Sequence, residues 1–248
     1  YSFLYLLTCL ECALGLSGIE NNSNLVYTDP RDSMTYELLV TDELIWFKEN
    51  LSFATPNSVC YDDDPDLCQQ YGRLYTRNEA ISACPNGWRL PTMKEWNQLY
   101  SQYAIEGIFS FMNAKDSLWT NNEMNTNTSG FNAIPGGMKD HKGYRELGIA
   151  SNFWVYNPKK VQAYHFHIYG VHEASSWRPR KVEKKLRKAR KLPHLENTWL
   201  LEEKHRHYII RKQEDGYMIY YSHTPHFHGD WKDRYMSVRC VCELNSNM

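Results

Sequence analysis

Residues 83–96 read Ala83-Cys84-Pro85-Asn86-Gly87-Trp88-Arg89-Leu90-Pro91-Thr92-Met93-Lys94-Glu95-Trp96, and the rest of the chain is laid out around what they demand. Thr92 and Glu95 stand at capping-box spacing: the hydroxyl takes the amide of residue 95 while the carboxylate reaches back to that of residue 92. Behind this cap, Trp96, Leu99, Tyr100 and Tyr103 recur at i, i+3, i+4 and i+7, the apolar stripe of a helix. Upstream, Thr76 and Glu79 repeat the spacing and open a second helix through Ala80, Ile81 and Ala83, which Pro85-Asn86-Gly87 stops. Two short helices joined by a proline- and glycine-bearing turn are therefore expected at this point.

Around them the chain alternates like a sheet protein. Tyr36–Val40 and Leu44–Phe47 read as a hairpin turning at Asp42-Glu43. Leu118-Trp119 ends a further strand. Phe153–Tyr156 and Ala163–Tyr169 read as two strands joined at Asn157–Lys160, and along the second His165 and His167 share one face, with Tyr164, Phe166 and Ile168 on the other. Tyr217–Tyr221 and Met236–Cys242 complete the set, with a loop from Ser222 to Asp233 between them. Asn21–Asp32 and Asn121–Ser129 are polar and loop-like.

A family pattern runs through these pieces in order. Trp46-Phe47-Lys48-Glu49-Asn50-Leu51, Cys60-Tyr61, Tyr71-Gly72-Arg73-Leu74-Tyr75-Thr76, Cys84-Pro85 through Leu90-Pro91, and Glu95-Trp96 come first. Gly130-Phe131 with Ile134-Pro135-Gly136-Gly137, Phe153-Trp154 and Ser237-Val238-Arg239-Cys240-Val241 follow. As an ordered set over residues 26–243 they resemble the Fibrobacter succinogenes major paralogous domain. The resemblance implies an α+β, C-type-lectin-like fold related to formylglycine-generating enzymes, carried by exported bacterial proteins. It implies a buried strand and glycine turn at residues 130–137, and a scaffold and a location rather than a reaction. In a lectin-like fold the first helix packs beside the last strand, so the resemblance also implies a Cys84–Cys240 bridge, with Cys242, two residues on, as the rival partner. Cys60 and Cys68, eight residues apart around an acidic loop, form the local pair.

With 248 residues, 42% of them hydrophobic and 14% aromatic, the chain suits one domain, residues 19–248, with an insertion. Residues 1–18 read as a truncated export signal, their apolar run too short to span a membrane. Leu6-Leu7-Thr8-Cys9 is close to a lipoprotein cleavage box; lipid at Cys9, cleavage near Ser17 and a buried N-terminal helix are the three readings. Arg178–Lys191 holds nine Lys/Arg against one Glu, a net of +8, which leaves −9 for the rest of a chain whose total is −1. Residues 178–211 are expected to be a helical insertion in two pieces: a basic helix striped by Val182, Leu186, Ala189 and Leu192, then a segment around Leu195, Trp199, Leu200 and Leu201. So concentrated a field suits anionic lipid, lipopolysaccharide or polysaccharide; export argues against nucleic acid.

All ten histidines lie after residue 140. His223, His226 and His228 with Asp230 are candidate transition-metal ligands, although a loop does not hold i, i+3, i+5 as a helix would. Asp62, Asp63, Asp64 and Asp66 offer calcium hard oxygens, but their spacing is not an EF-hand and a solvated turn is the preferred reading. No metal or other cofactor is required by any motif. The expected recognition face comprises Trp154, His165, His167, Tyr221, His223, His226, His228 and Trp231, rigid amphipathic rings converging from adjacent strands and loops. Gly-x-Ser-x-Gly, His-Glu-x-x-His, a phosphate loop and the Glu-Pro-Asn or Gln-Pro-Asp triplets of calcium lectins are all missing from the chain. The expected function is non-catalytic recognition of a surface glycan or protein. The alternatives are a metal-dependent enzyme on the formylglycine-generating scaffold and a structural subunit of a surface assembly.

Overall fold

The structure, a computed structural model, describes residues 16–17, 25–103, 107–113, 118–157, 163–170, 172–174, 179–191, 197–203, 206–214, 216–223, 226–230 and 233–244. Apart from Leu16 and Ser17, the expected leader lies outside these residues, and no described helix is long and apolar enough to cross a membrane.

The first sheet is built from β1 (Leu16–Ser17), β2 (Val26–Thr28), β3 (Thr35–Val40) and β4 (Leu44–Phe47) in meander order. Val26–Thr28 corrects the expected polar loop: Tyr27 is buried and stacks on Phe47, a pairing that local composition does not reveal. Three helices follow, α1 (Pro65–Tyr71), α2 (Arg77–Ala83) and α3 (Met93–Gln102), with the two-residue strand β5 (Tyr75–Thr76) before α2. The capping box of α3 forms: the Glu95 amide donates to Thr92 Oγ1 and the Thr92 amide to the Glu95 carboxylate at 2.7 Å. At α2 only half of it forms. Thr76 accepts the Glu79 amide, but the Glu79 carboxylate takes the Asn57 amide at 2.7 Å and the Thr76 hydroxyl at 3.2 Å rather than the Thr76 amide.

The second half of the chain adds β6 (Gly136–Asp140) and β7 (Gly143–Leu147), a hairpin not anticipated from sequence, then β8 (Ala150–Val155), β9 (Ala163–Tyr169) and β10 (His172–Ala174). Helix α4 (Pro179–Leu186) is followed by β11 (Arg190–Lys191), β12 (Thr198–Glu203), β13 (Arg206–Gln213), β14 (Gly216–His223), β15 (His226–Asp230), β16 (Tyr235–Met236) and β17 (Val241–Glu243). Strand β17 closes the first sheet against β4. A second sheet runs β15-β9-β8-β6-β16-β5, with β7 beside β6, and a third runs β10-β14-β13-β12-β11. Ladders are antiparallel except for the β6–β8 pair. The fold is α+β.

The described residues of 178–211 are not two helical pieces. Among them only Pro179–Leu186 is helical; Trp199, Leu200 and Leu201 lie on β12, paired with Ile210, Ile209 and Tyr208. The physical reason is that the centre of this sheet is covered on both faces. Leu200 and Ile209 join the main core of Trp46, Trp96, Phe131, Phe153 and Phe166, while Ile210 and Ile219 pack under Val182 of α4. A strand with two apolar faces shows an apolar run that reads equally as a buried helix. Leu118-Trp119 is likewise no strand but a turn, held because Trp119 Nε1 donates to the Ala133 carbonyl at 3.0 Å. Ala133 makes only an isolated bridge to Met112, so the expected strand at 130–137 begins instead at Gly136.

Both expected disulfides are present, Cys60–Cys68 and Cys84–Cys240, and Cys242 is a buried free thiol. Arg239, beside the second bridge, is wholly buried. Its Nε donates to Asn50 Oδ1 at 2.9 Å and its terminal nitrogens to the carbonyls of Phe47, Lys48, Phe131 and Asn132, while Phe131 and Phe153 flank the guanidinium plane. Asn50 in turn donates to the Tyr71 carbonyl at 2.7 Å. Gly72 must be glycine there: its φ is +76° and a Cβ would lie 2.5 Å from that of Asn50. The scattered motifs Trp46–Leu51, Tyr71–Thr76, Gly130–Gly137 and Ser237–Val241 thus meet at one buried cation.

Candidate functional site

Strands β8, β9 and β15 lie side by side in register, and the register sorts their residues into columns. Phe153, Phe166 and Phe227 form one column; it faces the main core, where Phe166 stacks on Trp96 at 4.5 Å. The neighbouring columns, Asn152–His167–His226 and Trp154–His165–His228, lie on the opposite face because successive strand residues alternate.

That opposite face is not the open groove expected from sequence. Trp154 is 1% exposed, and its indole N–H donates to the Tyr75 carbonyl at 2.8 Å. His165 is 2% exposed. Every residue of β8 is buried, because the first sheet and the β5–β16 edge pack over it, so Trp154 fills core and cannot meet a ligand. Exposure returns further along β9. His167 is half-buried, its ring centroid 5.7 Å from that of His165 and 5.4 Å from that of Tyr169, which is half-buried too. Burial raises the Tyr169 phenol above its ordinary value, and Glu146 and then Tyr221 raise it further. Tyr169 therefore stands where β9 meets the third sheet.

Tyr221 continues the row there. It lies on β14 opposite Tyr208 of β13 and His172 of β10, its ring 6.4 Å from that of Tyr208. The guanidinium of Arg206 lies 5.4 Å from the Tyr221 ring centroid, and Lys185 of α4 lies 5.9 Å from that of Tyr208 while pairing with Glu203. The outer surface of α4 and the turn after it expose Arg180, Lys181, Lys184, Arg187, Lys188, Arg190 and Lys191. His167, Tyr169, Tyr221 and Tyr208 thus form a row of half-buried rings ending at cations. Polar neighbours flank its start: Asn152 Nδ2 donates to the Glu146 carboxylate at 3.1 Å.

The expected loop from Tyr221 to Asp233 is mostly strand: β14 runs to His223 in one sheet, and His226–Asp230 is β15 in another. The side chains of His223, His226, His228 and Asp230 lie outside the described residues, as does Trp231 altogether. Tyr169 was missed in the sequence although alternation from His167 marks its face. Tyr208 and Arg206 come to Tyr221 only through the β13–β14 register, which composition does not specify.

Among the described residues no group of three or more His, Cys, Asp or Glu side chains is placed to hold a metal ion. In the acidic loop, Asp64 caps α1 by accepting the Asp66 amide, and Asp63 accepts the Tyr144 hydroxyl at 2.6 Å. Cys60–Cys68 encloses the first turn of a helix rather than an open loop. Elsewhere, a hollow between the β3–β4 turn and α3 is rimmed by Asp42, Glu43, Glu95, Gln98 and Gln102. Its Glu95 is committed to Arg89 and the Thr92 amide.

Compared with known proteins, residues 22–242 match the family described as Fibrobacter succinogenes major domain. No curated protein matches the chain, and no solved structure does.

Proposed function

The chain belongs to the Fibrobacter succinogenes major domain family, and from that premise we propose that it is a non-catalytic recognition protein exported to the bacterial surface. Its scaffold is C-type-lectin-like and akin to that of the formylglycine-generating enzymes. The ligand is a surface glycan or protein taken along the row His167, Tyr169, Tyr221 and Tyr208. The observation that carries this reading is the row itself: rings half-buried in series, rigid at the backbone because each sits on a paired strand. Such rings present a flat apolar face beside a polar edge at little entropic cost, which suits sugar faces and peptide surfaces alike. Arg206 and the exposed cations of α4 add affinity for anionic groups, including those of lipopolysaccharide or anionic lipid. The two disulfides support an oxidising compartment. A glycan array and pull-down from outer-membrane fractions, run with wild type, Tyr169→Ala and Tyr221→Ala, test it. Both variants should lose binding about tenfold or more with nearly unchanged melting, as expected of contact rings outside the core. A ligand bound equally well by both variants would place recognition elsewhere.

A further inference from the structure

We propose that Glu146 is the ammonium-binding end of the ring row, taking the protonated amine of an amino-sugar unit whose ring lies against Tyr169. This rests on the recognition reading of that row and adds the chemical class of its ligand. Strand register and one hydrogen bond place the carboxylate. Glu146 of β7 stands between the Leu147–Gly136 and Arg145–Met138 pairs, and its carboxylate accepts Asn152 Nδ2 at 3.1 Å. Asn152 lies on β8 directly opposite His167, and Ala150, two residues earlier on the same face, lies opposite Tyr169. Directly opposed residues have Cβ atoms about 5 Å apart. The carboxylate is therefore held on the face that carries His167 and Tyr169, whose ring centroids are 5.4 Å apart. Glu146, His167 and Tyr169 are all half-buried, so a ligand lying on the rings reaches the carboxylate as well.

The carboxylate is fixed in place. Asn152 is fully buried and uses the same amide nitrogen to reach the Gly137 carbonyl at 3.3 Å, which makes it a positioning residue rather than a ligand contact. Glu146 itself has a φ of +67°, a left-handed conformation that a residue with a long side chain seldom adopts. It also lacks a counter-charge: among the described residues no Lys or Arg forms an ion pair with it. The adjacent Arg145 is taken by Asp140 at 2.6 Å, and Lys139 by the Tyr144 hydroxyl at 2.9 Å. The charge is felt at the Tyr169 phenol, which burial first and then Glu146 hold above its ordinary value.

These facts select the ligand chemistry. The two ends of the row differ in sign: Glu146 stands at the His167 and Tyr169 end, whereas Arg206 lies 5.4 Å from the Tyr221 ring and Lys185 5.9 Å from that of Tyr208. An ammonium meets a carboxylate through charge-assisted hydrogen bonds and gains further from a tyrosine face. A neutral hydroxyl leaves the carboxylate charge unbalanced. The sugar ring supplies the flat apolar surface that stacks on Tyr169.

The test titrates the full chain calorimetrically with a glucosamine oligomer, the same oligomer N-acetylated, and a lysine-containing peptide of similar length. The free-amine oligomer should bind about tenfold or more tighter than its acetylated counterpart, and tighter than the peptide. Glu146→Gln, which keeps the shape and the acceptor for Asn152, should erase that preference by weakening only the free-amine oligomer. Tyr169→Ala should weaken both sugars, and both variants should melt nearly as wild type does. The comparison of the two oligomers on wild type needs no variant and decides by itself. Equal affinity for them, or no binding of the free-amine oligomer, overturns the proposal, as does tighter binding of the peptide. A ligand from the glycan array that is lost in Tyr169→Ala yet unchanged in Glu146→Gln overturns it too, while leaving recognition along the row intact. Free-amine binding that survives both Tyr169→Ala and Tyr221→Ala overturns the row and this inference together.

Discussion

Arg239 shows how one residue can tie distant motifs together. A guanidinium with no exposure normally needs a carboxylate, because desolvating a charge costs several kcal/mol. Here burial draws it down to about 9, with Glu49 opposing, and five oxygen acceptors replace water. It stays charged at neutral pH. Those acceptors come from residues 47, 48, 50, 131 and 132, so removing the fork strands four carbonyls and an amide from two distant parts of the chain. Arg239→Ala should destabilise by roughly 3–5 kcal/mol, measured by denaturant unfolding. Arg239→Lys should rescue little of it, since an ammonium has three donors and no planar fork. Near wild-type stability in the lysine variant would show that the charge alone, not the geometry, is what the site needs.

At the scale of elements, the two disulfides fasten very different loops. Cys84–Cys240 joins the end of α2 to the approach to β17 across 156 residues, whereas Cys60–Cys68 spans eight around the first turn of α1. In the chain-entropy description, the long loop contributes roughly 5 kcal/mol and the short one roughly 2.5. Cys84→Ser should therefore lower stability about twice as far as Cys60→Ser, read from unfolding midpoints under non-reducing conditions. Equal losses would mean that local packing of the sulfurs, not loop closure, dominates. In Cys84→Ser the freed Cys240 and the buried Cys242 are two residues apart, which makes peptide mapping of that variant necessary.

For the whole molecule, strands β12 and β13 of the segment 178–211 contribute to the core. Leu200 and Ile209 lie in the same cluster as Trp46 and Trp96, and β14 depends on β13 for its longest ladder. Deleting Arg178–His207 and rejoining with a short Gly/Ser link should therefore abolish cooperative melting, although the segment reads in the sequence as a removable insertion. A sharp thermal transition in the deletion would show instead that the third sheet is an accessory. Alkaline behaviour is also a property of the whole. Tyr36 and Tyr75 are buried phenols raised chiefly by desolvation, and Tyr61, Tyr71, Tyr144 and Tyr169 are raised too. An acid raised in the folded state contributes stability that is complete below its unfolded pKa, here about 10, and is lost as pH climbs through the folded value. Arg239 acts in the opposite sense above about 9, because its proton leaves the folded protein first. Lys185, lowered by burial, acts in the same sense as Arg239. Six raised phenols outnumber these two bases and give a net fall above pH 10. Stability should drop there, and part of the phenolate absorbance should appear only with unfolding. If all tyrosines titrate together near their ordinary value while circular dichroism stays native, Tyr36 and Tyr75 are not buried as described.

Sequence alone determined what short-range chemistry decides. The Thr92–Glu95 cap, the stripe of α3, the β3–β4 hairpin and the alternation of β9 each depend on groups within a few residues of one another. The pairing of Cys84 with Cys240 followed from family resemblance, not from local spacing. Only the tertiary structure decided which rings stay half-exposed and which fill core. Trp154 looked like a surface ring until packing on both faces of β8 enclosed it, whereas Tyr208, not marked as a site residue in the sequence, met Tyr221 through a hairpin register. Trp199, Leu200 and Leu201 became a strand because two apolar surfaces, the main core and α4, were available to cover it. The columns of histidine and phenylalanine across β8, β9 and β15 are the same case. Alternation is written along each strand, but the register that brings His165 beside His228 is set by which strands become neighbours, and that depends on how the whole chain buries its apolar surface.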